Sequence, residues 1–164
     1  MKRTGLALLV AALLGGGGIA GEPNSAPLQG VWQAVDVTIP GPVARTVTIP
    51  EPRPNLTMIT ARHYSRMQVE AEGARPTLAD VTKASADDLR AAWGPFSAEA
   101  GTYEVTGNVI TLRPIVAKNP GAMTPGAFTA WSFTLNGNML RVTAQRNQNG
   151  PIAYPPTITL VRVE

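Results

Sequence analysis

Gly30-Val31-Trp32 and Leu160-Val161-Arg162 stand at the two ends of one run of short, alternating apolar and polar segments. A Gly-x-Trp at the head of a small all-β domain, answered by an arginine on its last strand, limits the fold more than any other feature. It predicts that the first and last strands are neighbours, with the Arg162 guanidinium lying across the Trp32 indole. The sheet would then close on itself. A cation–π contact of this kind contributes roughly 0.5–2 kcal/mol, depending on burial. Gly30, Trp32 and Arg162 are therefore read as closure residues, structural in role.

Between those ends the period is that of strands. Val31 to Ile39 alternates, with Val31, Gln33, Val35 and Val37 on one face and Trp32, Ala34, Asp36 and Thr38 on the other. Pro40-Gly41-Pro42 breaks it, Arg45 to Ile49 reads as a short edge strand, and Pro50, Pro52 and Pro54 forbid ladder pairing in the stretch that follows. Leu56 to Val69 reads as one long strand, or as two with a bend near His63-Tyr64-Ser65, and Gly73 to Pro76 ends it.

One segment looks helical. Ser85 to Trp93 has a serine N-cap, acids in the first turn and Gly94-Pro95 as a stop. After it comes a meander. Tyr103–Val105 is expected to meet Val109–Leu112 across Thr106-Gly107-Asn108, and Phe128–Leu135 to meet Met139–Ala144 across Asn136-Gly137-Asn138. Glycine beside asparagine supplies the positive φ that tight hairpins need. Asn147 to Pro151 then leads to a last strand at Thr157 to Val163. About eight strands joined to their sequence neighbours point to an all-β, antiparallel up-and-down barrel with one short helix mid-chain. A two-sheet sandwich is the alternative.

The N-terminus reads as a leader. Met1-Lys2-Arg3 is basic, Leu6 to Leu14 is apolar and Gly15 to Gly21 is small, the order of a secretory signal. The apolar run is shorter than the about 20 residues a membrane helix needs. Residues 1–21 are thus expected to be removed after Ala20 or Gly21, leaving 22–164 as one exported domain, periplasmic or secreted. Of the 14 basic residues two leave with the leader, so 12 face 11 acidic ones, a net charge of +1. Scattered as they are, they form no nucleic-acid footprint. The absence of cysteine excludes disulfides and thiolate chemistry.

Further segments carry a family likeness: Leu28-Gln29-Gly30-Val31-Trp32, His63-Tyr64-Ser65-Arg66-Met67, Phe96 to Val105, Ala117-Lys118-Asn119-Pro120, and Phe133 to Leu140 with the last strand. Across roughly Leu28 to Glu164 the chain resembles the bacterial lipocalin-like domain, a group of small exported or cytosolic β-barrels. The resemblance implies an antiparallel barrel with an internal cavity. A typical secreted lipocalin adds longer strands, a disulfide and a substantial C-terminal helix. This chain has no cysteine and its helix candidate is mid-chain, which argues against a deep, wide calyx.

Several residues are candidates for contact with a ligand. His63 is the only histidine, and unbroken alternation would place it inward with Ile59, Ala61, Ser65, Met67 and Val69. There it would be an acid or base, an anchor for a polar head group, or an ordinary core or rim histidine. Tyr64 would then face outward, unless a bulge brings both in. Tyr103, Trp131 and Phe133 are expected to line the interior, around either a pocket for a largely apolar ligand or a filled core. Lys118, in a Pro/Gly-rich loop, would pair an anionic ligand at a barrel mouth or belong to a plain turn.

No metal site or cofactor is indicated, since one histidine without cysteine is a poor zinc site. No Gly-x-Ser-x-Gly, phosphate-binding loop or His-Glu-x-x-His occurs. Asp87 and Asp88, adjacent on a helix, do not face one another. The expected partner is a small, mainly apolar molecule. The alternatives are an isomerase- or cyclase-type barrel enzyme using His63, and a structural or interaction domain with a filled core.

Overall fold

The computed structural model describes residues 26–41, 46–49, 54–71 and 73–164, with the side chains of 46–49 excepted. The expected leader, Arg45, Pro50 and Pro52 lie outside the described residues. The elements are β1 (Gly30–Pro40), β2 (Thr46–Ile49), β3 (Asn55–Ile59), β4 (His63–Val69), α1 (Ala86–Trp93), β5 (Phe96–Thr106), β6 (Val109–Ala117), β7 (Thr129–Asn136), β8 (Met139–Asn147), β9 (Gly150–Pro151) and β10 (Thr157–Arg162).

Every pairing is antiparallel. The order runs β10-β1-β3-β4-β5-β6-β7-β8, and β10 also pairs β8. These eight strands close into a barrel of lipocalin-like architecture, with β2 and β9 as short additions on β1 and β8. Closure removes the exposed sheet edges that an open sheet of this size would leave. It also rules out the sandwich alternative.

At one end, here called the floor, Trp32 and Arg162 are directly paired across β1 and β10. The guanidinium carbon lies 4.2 Å from the indole centre. Trp32 is fully buried, and its Nε1–H donates to the Leu28 carbonyl at 2.9 Å. Arg162 donates to the carbonyls of Pro27, at 2.6 Å, and Gln29. These bonds draw the 3-10 turn Ala26–Leu28 under the barrel, where Leu28 plugs the interior. Gly30 has φ +139°, and a Cβ there would sit 2.5 Å from both Arg162 Nη1 and the Glu164 carbonyl. Only glycine lets the arginine fold over the tryptophan.

The hairpins β5–β6 and β7–β8 turn on Gly107 and Gly137, with φ of 59° and 56°. The β3–β4 connection differs from expectation. The break falls at Thr60–Arg62 rather than at His63–Ser65, and Thr60 closes the turn. Its N–H donates to the His63 carbonyl at 2.9 Å, and its Oγ1 accepts from the His63 N–H at 3.1 Å. Helix α1 starts as read: Ser85 and Asp88 form a reciprocal capping box.

Candidate functional site

Above the floor the barrel holds a cavity of about 90 Å³. That is smaller than the about 150 Å³ apolar cavity able to take up a benzene ring.

Its polar lining comes from one hairpin. Across β3 and β4, Ile59 is paired with Tyr64, Thr57 with Arg66 and Asn55 with Gln68, and all six line the cavity. The wall from β7, β8 and β10 is apolar, presenting Trp131, Phe133, Val142 and Ile158. Asn55 has a second task. Its Oδ1 accepts from the Ala34 N–H at 2.7 Å and its Nδ2 donates to the Ala34 carbonyl at 3.2 Å. The side chain thus extends the short β1–β3 ladder, which in backbone terms stops at Trp32–Thr57.

Arg66 and Glu99 are directly paired across β4 and β5, with Nε 3.0 Å from Oε1. The same oxygen accepts from the Tyr64 hydroxyl at 2.9 Å. The guanidinium extends over the Trp131 ring, 5.6 Å from its centre. Trp131 is 7% exposed, and its buried Nε1–H has no partner among the described residues. Burial first, then the charge and hydrogen bond of Glu99, push the Tyr64 phenol up, and Arg66 only partly opposes them. Tyr64 is therefore a fixed proton donor at neutral pH. Opposite Tyr64 in β5 is Gly101, where a Cβ would strike the Arg113 backbone at the Ala100/Gly101 bulge.

The structure sorts the six candidates. Tyr64, Trp131 and Phe133 line the cavity. Tyr103 is buried near the floor, its hydroxyl donating to the Thr60 carbonyl at 2.7 Å, and it does not border the space. His63 and Tyr64 have the reverse of the expected facing: His63 is exposed and Tyr64 is 3% exposed. Ile59 and Tyr64 are partners across a hairpin and so share a face, whereas unbroken alternation would put them on opposite faces. The acid–base reading built on an inward His63 loses its group at the cavity.

Lys118 does not reach the cavity either. Its ammonium donates to the carbonyls of Trp93, Gly94 (2.8 Å) and Phe96 (2.6 Å), at the C-terminal end of α1. Unpaired carbonyls there attract a cation. No local signal announces this contact, because 24 residues separate Lys118 from Gly94.

Arg66, Glu99, Thr57, Asn55 and Gln68 were not singled out from sequence. Tyr64, Arg66 and Gln68 do form an alternating set, but a polar alternating set ordinarily marks the solvent face. No protein-family model matches the chain, and no curated protein matches it in sequence. Among the described residues no helix is long and apolar enough to cross a membrane.

Proposed function

We propose that this protein is an exported container for one compact, mainly apolar molecule, held in the barrel against Trp131 and Phe133. The observation that carries the reading is the unfilled space of about 90 Å³ inside an otherwise closed barrel. Cores normally pack with few voids larger than a water molecule, so a retained cavity with a mixed lining suits a ligand better than it suits stability. Its size excludes a long lipid chain and favours a molecule no bulkier than a five-membered ring. The basic, apolar and small order of residues 1–21 supports export.

A thermal-shift titration with a panel of small ring compounds tests the binding claim. Wild-type protein is expected to be stabilised, and Val142→Phe, which fills the space at a cost of about 1–3 kcal/mol, to lose the response while staying folded. A Val142→Phe response equal to wild type would exclude the barrel interior as the site. N-terminal sequencing of the protein recovered from the cell envelope or medium tests export, with a start just after Ala20 or Gly21 as the expected result.

A further inference from the structure

We propose that the cavity selects an uncharged ring compound bearing one acceptor oxygen, and that Arg66 holds that oxygen from the β3–β4 side. This rests on the container reading and adds to it the chemical class of the occupant. The shape of the lining comes first. Thr57, Arg66 and Gln68 stand on one wall and Trp131, Phe133 and Ile158 on another, so a molecule with one polar edge and an otherwise apolar body matches both.

Charge decides what that edge is. Among the described residues that line the cavity, Arg66 is the one with a charge. Glu99 stands behind it, outside the lining, and meets the guanidinium at Nε. No described residue is hydrogen-bonded to the two terminal nitrogens of Arg66, and the ring of Trp131 lies against the guanidinium. Those N–H groups are donors at the partly exposed edge of the cavity, with no acceptor among the described residues, so an acceptor is the complement that a ligand there would supply. A carboxylate would supply one, but at the cost of a second acid beside Glu99 on a single guanidinium in a partly dry space. A carbonyl or ether oxygen accepts from the same N–H groups and leaves the Arg66–Glu99 pair neutral.

Three five-membered probes test this by ¹H–¹⁵N NMR titration of the full-length domain: cyclopentanone, methylcyclopentane and cyclopentanecarboxylate. Wild-type protein is expected to bind the ketone about tenfold more tightly than the hydrocarbon or the acid, with shifts centred on residues 64–68 and the Trp131 indole. In Arg66→Met the ketone should fall to within about twofold of the hydrocarbon. In Glu99→Gln the Arg66 charge is no longer compensated, and the carboxylate should gain about tenfold and draw level with the ketone. That second variant decides the matter if Arg66→Met does not fold.

Equal binding of ketone and hydrocarbon by wild type, or a preference for the acid, overturns the assignment of ligand class and leaves the container standing. Absence of any shift with all three probes overturns the container and this inference together.

Discussion

Arg162 sits 4.2 Å from the centre of the Trp32 ring, and Arg66 sits 5.6 Å from that of Trp131. Both pairs join a partly exposed arginine to a buried tryptophan, and they are built for different ends. At the floor the indole N–H and both terminal nitrogens of the arginine have partners: Trp32 donates to Leu28, and Arg162 to Pro27 and Gln29. At the cavity the indole N–H has no partner, and the arginine is held by Glu99 at Nε while it borders open space. A saturated pair is a lock. An unsaturated pair beside a void keeps hydrogen-bonding capacity in reserve, which is what a binding site requires and a lock does not.

Mutations can break this contrast. Trp32→Ala should cost the most, about 3–5 kcal/mol in urea denaturation, because it empties a fully buried site and frees the Leu28 carbonyl. Arg162→Met should cost about 2–3 kcal/mol by stranding two carbonyls under the barrel. Arg66→Met should cost only about 1 kcal/mol, since its ion pair is partly exposed and Tyr64 still donates to Glu99. Equal losses at Arg162 and Arg66 would erase the distinction between lock and site.

A smaller effect belongs to pH. The folded-state pKa of Tyr64 is raised above its unfolded value, so the phenol's contribution is intact below about pH 10 and lost as the pH climbs beyond it. Wild-type stability should therefore fall more steeply above pH 10 than that of Tyr64→Phe, followed by denaturation at a series of pH values. Parallel slopes would show that neither burial nor Glu99 holds the phenol above its unfolded value. Trp131→Phe isolates a still smaller effect: the N–H it removes has no partner to lose, so its cost should be that of the lost ring volume alone, about 1 kcal/mol. Trp32→Phe, which deletes a bonded N–H, should be clearly worse.

Much of the fold was readable because its signals are local or terminal. The hairpin glycines at 107 and 137 need a left-handed φ wherever the chain goes next, and Ser85 with Asp88 makes a complete cap within four residues. The site was harder to read for a physical reason. A hairpin resets the phase of alternation, and the position of the break between β3 and β4 decides whether His63 or Tyr64 enters the barrel. With the break at Thr60–Arg62, Tyr64 turns inward, and Arg66 and Gln68 on the same face border the cavity from its more exposed side. The contact made by Lys118 is hidden for the opposite reason. The residue is a cation in a loop, and its anchor at the end of α1 lies far away in sequence.

Sequence alone determined the approximate strand count, the two glycine hairpins, the helix and the pairing of first strand with last. Each follows from backbone preferences that a few adjacent residues impose, or from a matched Gly-x-Trp and arginine that only closure satisfies. Tertiary structure alone decided what the closed barrel encloses. Whether an interior is full depends on how side chains from eight strands meet across it. Whether Arg66 is spent or available depends on a glutamate 33 positions away that meets it only when β4 pairs with β5.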